Sequence, residues 1–315
     1  MIACSNVAKK RFVPAVKASS LARISFVASR DPEKAASFAS EINCPFSGSY
    51  EEAFASDEVD ALYISTPFAL KKSLMIRAIE SGKHIIVEKP AFSSLSEAEE
   101  IIECSRSAGL HLIEGWMFKH HPQHAVFRDE ICKDGFGPVK YFTGRFTYPR
   151  PPKGDIRLNP ELLGGVFHDT IGYPIHASLM TINREPQSVH ASLTYDEISG
   201  VDDFVKLNVI FEGGVHADLV SGFGLHYSSC YSVLCEDGSG TVMRAFSVND
   251  DYTTSLEFEN NSKKYELKVP PTNQFSLMVD SFCSDLLNYK YNRNDSEMRS
   301  CYKIIDMAAS AAGIL

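Results

Sequence analysis

The sequence of 315 residues lacks any hydrophobic run long enough to suggest a membrane segment. No apolar stretch approaches the ~18 residues that a membrane-spanning helix needs. The order of a signal peptide is also missing, because Lys9-Lys10-Arg11 follow a very short apolar start instead of preceding a longer one. We therefore expect a cytoplasmic protein with no membrane partner.

The cysteines do not form a recognisable pattern. There are eight of them, with no Cys-x-x-Cys pair and no Cys/His cluster at zinc spacing. Reduced thiols are the interpretation that this spacing favours. We predict neither a disulfide framework nor a metal site.

Positive charge is scarce. The chain has 31 Lys and Arg against 40 Asp and Glu, a net charge of −9, and no basic run beyond residues 9–11. This balance argues against a nucleic-acid partner. An anionic substrate stays compatible with it, because a local pocket can be positive. With 44% hydrophobic residues, the chain can build the cores of two domains or of one large domain.

The first 118 residues alternate short apolar strands with helices. Strands are predicted at 23–28, 61–67, 84–87 and 111–115, with helices at 33–42 and 70–81 and another after Ser94. This alternation is typical of a parallel sheet covered by helices, whose ligands bind at the carboxyl ends of the strands. We predict a dinucleotide-binding domain over residues 1–118.

A candidate phosphate-binding turn follows Met1-Ile2-Ala3. Ala3, Ser5 and Ala8 occupy the spacing of the G-x-G-x-x-G/A motif, but both leading glycines are missing. The alternative is an ordinary turn between a strand and a helix. If the turn binds a pyrophosphate, the groups that contact it belong to Cys4, Ser5, Asn6 and Val7. Only three residues precede the turn, so either the natural protein begins upstream or the fold tolerates a short central strand.

Two further strand ends contribute to the same predicted site. Ser29-Arg30 ends the second strand, where a carboxylate would bind the 2′-hydroxyl of NAD and a small polar residue with arginine would accept the 2′-phosphate of NADP. The alternative for Arg30 is a solvated turn residue. Ser65-Thr66-Pro67 ends the third strand and would line the cofactor crevice.

The stretch GKHIIVEKP at residues 82–90 places charge at the tip of a buried strand. Its apolar run predicts a strand buried on both faces of a parallel sheet. Glu88 and Lys89 would then lie where ligands of such sheets bind. Lys89 is a candidate to handle a proton or to bind a hydroxyl. The alternative is a solvated loop lysine.

Residues 119–315 have a different pattern, which we interpret as a second, α+β domain. Many of its segments alternate polar and apolar residues, as expected for a largely antiparallel, open sheet with one covered face. Helices are predicted at 118–132, 274–289 and 296–314, with a loop and helix over 149–183. The predicted strands cover residues 139–148, 188–195, 204–211, 215–222, 227–236, 240–246, 255–259 and 264–269.

Several ordered motifs together resemble a known family. They are SRDPEKA (29–35), STP (65–67), GKHIIVEKP (82–90), EGWMFKHHPQ (114–123), GPV (137–139), DIRLNPELLGG (155–165) and D-x-x-x-Y (169–173). The chain resembles the glucose-fructose oxidoreductase, inositol dehydrogenase and MocA (Gfo/Idh/MocA) family over nearly its whole length. The resemblance implies a Rossmann domain, a second domain whose open sheet often mediates oligomers, and nicotinamide-dependent oxidation or reduction of a sugar or polyol.

The resemblance also implies roles for single residues. Lys89 would contact the reacting hydroxyl or carbonyl, Tyr173 would be the acid/base, and Asp169 would bind substrate beside them. Lys119 and Arg157 would contact substrate, or Lys119 would tie the two domains together. From the residues alone, a buried aromatic is the favoured interpretation of Tyr173, and a surface or helix-capping carboxylate is the alternative for Asp169. His168 and His176 flank these positions as structural residues or as proton relays.

The chain departs from the family pattern at three places. Ile171 stands where a glycine is usual, Phe68 and Lys71 replace the asparagine or histidine that often follows the STP segment, and the phosphate turn lacks glycines. The segment at 155–165 resembles members that act on nucleotide-linked ketosugars, xylose or dihydrodiols.

These features predict an NAD(P)-dependent oxidoreductase of a sugar, ketosugar or nucleotide sugar, with NADP as the expected cofactor and NAD as the alternative. The rival hypothesis is a cofactor-bound sensor of the same fold that has lost catalysis. We expect a homodimer or homotetramer formed through the sheet of the second domain.

Overall fold

A computed structural model describes residues 1–291 and 293–314. Asn292 and Leu315, which fall in the predicted second domain, lie outside the described residues. The chain forms two compact units. The first comprises Met1–Met117 and Phe275–Met298, and the second comprises Phe118–Gln274 and the chain from Arg299 onward.

The first unit contains a parallel sheet. Its strands are β1 (Phe26–Ala28), β2 (Phe46–Gly48), β3 (Ala61–Ile64), β4 (His84–Val87) and β5 (Leu112–Glu114). β1 pairs with β2, and β3, β4 and β5 pair in that order, all in parallel. Ile2 bridges Ala28 on one side and Ile64 on the other, so it joins the two groups. The predicted first strand is thus reduced to a bridge.

Helices cover this sheet, as the alternation predicts. They are a π-helical turn (Ala8–Phe12), α1 (Val13–Ala18), α2 (Pro32–Ile42), α3 (Tyr50–Ala55), a 3₁₀ turn (Phe68–Leu70), α4 (Lys71–Glu80) and α5 (Leu95–Ser107). A helix from the far end of the sequence, α9 (Gln274–Leu287), adds Met278, Val279 and Phe282 to the apolar core around Val27. No local pattern in residues 274–287 indicates that this helix packs into the core of the first unit.

The second unit is built on an eight-stranded sheet. Its strands are β6 (Val139–Tyr148), β7 (Pro186–Tyr195), β8 (Asp202–Phe211), β9 (Val215–Phe223), β10 (Ser228–Cys235), β11 (Gly238–Val242), β12 (Thr254–Asn260) and β13 (Lys264–Val269). Their order is β13-β12-β11-β10-β6-β9-β8-β7. All neighbours are antiparallel except β6 and β9, which run parallel. The predicted fold class, a Rossmann domain followed by a largely antiparallel open sheet, is confirmed.

One face of this sheet is covered by helices. They are α6 (Pro122–Ile131), α7 (Val166–Asp169) and α8 (Gly172–Ile182), and α10 (Asp295–Ala312) ends the described chain. α8 packs on β6 and β9. Gly144 in β6 permits this contact, because a Cβ there would lie 2.8 Å from Cβ of Pro174. Within residues 1–291 and 293–314, no helix is both long and apolar enough to cross a bilayer.

Candidate active site

Lys89 lies at the carboxyl edge of the parallel sheet, directly after β4. The Glu88 amide donates to the Ile64 carbonyl at 2.9 Å, and the Ala91 amide donates to the Glu114 carboxylate at 2.8 Å. The ammonium of Lys89 is 5.9 Å from the centre of the Trp116 ring. The segment around Lys89 is thus held on both sides at the edge where ligands of parallel sheets bind.

Two residues that the sequence reasoning did not connect with Lys89 support it. The Lys71 ammonium donates to the carbonyls of Glu88 and Pro90 at 2.6 and 2.7 Å. The Tyr63 hydroxyl donates to the Glu88 carboxylate at 2.5 Å. Burial raises the pKa of Glu88, against the Tyr63 hydrogen bond and the charges of Lys71 and Lys89, which lower it. Burial and the nearby Glu88 charge raise the pKa of Tyr63.

The candidate phosphate turn has the backbone of a glycine turn without its glycines. Ala3 adopts a positive φ of 75°, a conformation that usually favours glycine. The Ser5 hydroxyl accepts from the Ala8 amide at 3.1 Å and donates to the Ser65 hydroxyl at 2.8 Å. Two of the predicted strand ends therefore meet here. Between Ala3 and the helix lie the other predicted contacts, Cys4, Asn6 and Val7.

Thr66 fits a bound dinucleotide at this edge. Its hydroxyl is buried and has no hydrogen-bond partner in the part of the chain that the structure describes. A buried hydroxyl of this kind costs free energy until a partner arrives. Pro67 follows it and is exposed.

The end of β1 carries Ser29 and Arg30. Ser29 is buried and its hydroxyl accepts from the Asp31 amide at 3.2 Å, whereas Arg30 is exposed. Burial raises the pKa of Tyr50, against the nearby charge of Arg30, which lowers it. The Asp31 carboxylate caps α2 by accepting from the amides of Glu33 and Lys34 at 3.0 and 3.2 Å. Both capping bonds end on one carboxylate oxygen, Oδ1. Tyr50 was not identified from the sequence, since no motif marks it.

In the second unit, the structure brings Arg157 and Asp169 together. The Arg157 Nε is 3.2 Å from the Asp169 carboxylate, and an Arg157 terminal nitrogen is 3.7 Å from Asp155. Burial acts to lower the pKa of Arg157, but the carboxylates of Asp169 and Asp155 outweigh it and raise that pKa. The pair couples a carboxylate, which can accept from a substrate hydroxyl, to a fixed cation.

The glycine pair 164–165 makes this pairing sterically feasible. A Cβ on Gly164 would lie 2.5 Å from the Arg157 carbonyl, and one on Gly165 would lie 2.0 Å from the Asp202 carboxylate. Asp202 in turn accepts from the Phe167 amide at 2.6 Å at the start of α7, which ends at Asp169. The two glycines thus let the Arg157 loop and α7 approach closely.

Tyr173 lies in the first turn of α8 and is only 5% exposed. Its ring centre is 5.4 Å from that of Phe118, 4.9 Å from that of Phe146 and 5.6 Å from that of Phe246. This cage fixes the direction of the ring. Lys119 directly follows Phe118 in a 3₁₀ turn (Met117–His120).

The two flanking histidines, His168 and His176, lie in α7 and α8. His176 is fully buried within α8, and burial lowers the pKa of His168 in α7. The structure therefore places Lys89 in the first unit, and Lys119, Arg157, Asp169 and Tyr173 in the second.

Comparison with known proteins places this geometry in a family. Residues 1–116 match the Gfo/Idh/MocA oxidoreductases with an NAD-binding Rossmann fold, and residues 125–241 match the C-terminal domain of that family. The chain belongs to the Gfo/Idh/MocA family. The predicted family and enzyme class are thus confirmed, since the similar Gfo/Idh/MocA proteins are sugar reductases and dehydrogenases.

Three relatives illustrate the range of those activities. A dTDP-3,4-didehydro-2,6-dideoxy-alpha-D-glucose 3-reductase of Actinomadura kijaniata is 29% identical over 297 residues, covering 94% of this chain and 90% of the relative. The enzyme of the same name from Streptomyces violaceoruber is 31% identical over 280 residues, covering 89% and 82%. D-xylose 1-dehydrogenase (NADP(+)) 2 of Haloferax volcanii is 28% identical over 324 residues, covering 100% and 98%.

A solved structure shows the same fold at full length. It is a 3-ketoreductase from Actinomadura kijaniata in complex with NADP and TDP-benzene, with a TM-score of 0.91 and 28% identity. The alignment covers 99% of this chain and 96% of the ketoreductase.

Proposed function

We propose that this protein transfers a hydride between NADP and a ring carbon of a sugar, ketosugar or nucleotide sugar. The observation that carries the proposal is Lys89, anchored at the carboxyl edge of a sheet whose neighbouring turns fit a dinucleotide. The named activities of the relatives support the same reaction class. The test is turnover of candidate sugars and ketosugars with NADP or NADPH.

The cofactor, when bound, supplies or accepts the hydride at its nicotinamide ring. In the direction of reduction, the Lys89 ammonium donates a hydrogen bond to the carbonyl oxygen and stabilises the negative charge that develops there. The Tyr173 hydroxyl then gives its proton to that oxygen, and in oxidation it takes the proton back.

Asp169, Arg157 and Lys119 bind the substrate in this proposal. The Asp169 carboxylate accepts from a sugar hydroxyl, and Arg157 holds that carboxylate in place. Positive charge on Lys119 suits a substrate that carries phosphate, as a nucleotide sugar does. These roles assign substrate binding to residues of the second unit.

Around the adenosine end, we assign Ser29 and Arg30 to the 2′-phosphate of NADP. Asp31 is the nearest acidic residue in sequence, and its Oδ1 caps α2, which supports a helix-capping role for Asp31 in preference to contact with the 2′-hydroxyl of NAD. The Arg30 charge lies near the Tyr50 hydroxyl and acts against the rise that burial causes in the pKa of Tyr50. The remaining cofactor path is lined by three segments. They are the candidate phosphate turn (Cys4, Ser5, Asn6 and Val7), the end of β3 (Ser65, Thr66 and Pro67), and Glu88 after β4.

Arg30→Ala is expected to weaken NADP binding by ~1.5–3 kcal/mol, the range for a hydrogen bond to a charged group. NAD binding should stay nearly unchanged, because NAD lacks the 2′-phosphate. Fluorescence titration with both cofactors measures the difference. Arg23→Ala is the matched control, since Arg23 pairs with Glu58 on the surface at 3.2 Å. An equal loss for NADP and NAD would show that Arg30 does not contact the 2′-phosphate.

The uncovered face of the eight-stranded sheet supports a homo-oligomer. Side chains on this face hydrogen-bond to one another. The Tyr141 hydroxyl donates to Asp218 at 2.7 Å, and Thr143 and Ser232 share a hydrogen bond of 2.7 Å. They line a depression of about 670 Å³. We expect light scattering to give the mass of a dimer or tetramer. A monomer at micromolar concentration would contradict assembly through this face.

We further propose domains at 1–118 and 119–315 and a cytoplasmic location. With these bounds, α9 is part of the second domain by its position in the sequence. Its side chains nevertheless pack in the core of the first compact unit. The location is supported by the eight cysteines, all described and none in a disulfide.

A further inference from the structure

Lys71 is a buried lysine directly behind the proposed catalytic segment. It is the first residue of α4 and is only 3% exposed. Lysine is almost never buried to this extent unless its charge is compensated, because removing an ammonium group from water is costly. A specific set of partners must therefore hold it there.

Two of its partners flank Lys89 in the sequence. The Lys71 ammonium donates to the Glu88 carbonyl at 2.6 Å and to the Pro90 carbonyl at 2.7 Å. One cation thus bridges the carbonyl before Lys89 and the carbonyl after it. The bridge fixes the backbone from which the Lys89 side chain extends.

The Glu88 carboxylate is fixed from the other side. Tyr63 donates to it at 2.5 Å, and the Tyr63 ring stacks on Phe12 with ring centres 3.6 Å apart and planes 2° from parallel. Phe12 ends the π-helical turn that follows the candidate phosphate turn. Residues 88–90 are therefore held both through their carbonyls and through the Glu88 side chain.

We propose that Lys71 is a positioning residue for Lys89. Its ammonium bridges the carbonyls of Glu88 and Pro90, and this bridge directs the Lys89 ammonium toward the reacting oxygen. The inference rests on the proposed function for its catalytic consequence, whereas the bridge itself has a test that needs no turnover.

The kinetic test compares Lys71→Met with Lys72→Met. Misplacing a catalytic group by about 1 Å can cost ~10²-fold, so Lys71→Met should lower kcat by ~10–100-fold with NADP affinity within about twofold of wild type. Lys72→Met is the control, because Lys72 pairs with Glu100 on the surface at 2.7 Å and should keep full activity. Lys71→Arg keeps the charge and the donors and should recover most of the loss. Full activity in Lys71→Met, or no recovery in Lys71→Arg, would overturn the assignment.

Tyr63→Phe provides a second variant if Lys71→Met does not fold. It removes only the hydroxyl that binds Glu88 and keeps the stack on Phe12. A loss of ~10-fold in kcat is expected for a lost hydrogen bond to a charged group. Unchanged kcat in Tyr63→Phe would overturn the view that residues 88–90 are held for catalysis.

Hydrogen exchange measures the bridge independently of activity. Amides of residues 86–93 should exchange at least ~10-fold faster in Lys71→Met than in wild type and in Lys72→Met, because the local opening free energy falls. Unchanged exchange would overturn the bridge even in an active enzyme. A wild type that turns over no sugar would instead refute the proposed function, and the exchange result would still decide the bridge.

Discussion

Tyr173→Phe is expected to lower kcat by ~10²–10⁴-fold, the usual loss when a general acid is removed. NADP binding and the melting temperature should stay close to those of wild type. The substitution removes one hydroxyl and leaves the ring in its cage of Phe118, Phe146 and Phe246. Steady-state kinetics with a turned-over sugar measures the effect.

Tyr195→Phe is the matched control for this prediction. Tyr195 lies in β7 and is 57% exposed, so the same change there should leave kcat unchanged. The wild-type pH profile should contain a group that moves or disappears in Tyr173→Phe. Full activity in Tyr173→Phe would return Tyr173 to the role of a core aromatic and would favour the sensor hypothesis.

Lys89→Met is expected to cost a factor in kcat comparable to that of Tyr173→Phe, because it keeps the length of the side chain and removes the charge that stabilises the developing alkoxide. The double variant should lose less than the product of the two factors, since residues that act as a unit are not additive. NADP binding, measured by fluorescence, should persist in all three variants.

Lys83→Met is the control for Lys89→Met. Lys83 precedes β4 at the opposite end of the strand and donates to the Ser56 carbonyl at 2.9 Å. Its loss should leave kcat unchanged. Strict multiplication of the two single-variant factors would contradict joint action of Lys89 and Tyr173 on one proton.

Most strands were predictable because burial imposes a simple pattern of apolar and polar residues on them. Ile85 to Val87 form a continuous apolar run because helices cover both faces, and β8 alternates because only one face is covered. Gly164 and Gly165 were also recognisable as part of a sequence motif. The structure explains why glycine is needed there, because a side chain would collide with Arg157 at position 164 and with Asp202 at position 165.

Other features depend on contacts between distant residues and leave no local pattern. β2 is short and mostly exposed, so it has neither an apolar run nor alternation. The turn at Ala3 keeps a positive φ although a residue with a Cβ loses ~1–2 kcal/mol in the left-handed region, because Ile2 and the Ala3 amide are held by the neighbouring strands. Lys71 was noticed only as a departure from the family, since its partners are main-chain carbonyls 17 and 19 positions away.

Transfer of deuterium from NADPH labelled at C4 of the nicotinamide tests the proposed hydride transfer directly. Candidate ketosugars and nucleotide-linked ketosugars would be incubated with the protein and labelled NADPH. Mass spectrometry would then measure the masses of the products. We expect one substrate class to gain a single deuterium on carbon, at a rate that falls in Lys89→Met and Tyr173→Phe. Tight binding of NADPH without transfer of the label to any sugar would contradict the enzyme and support a cofactor-bound sensor.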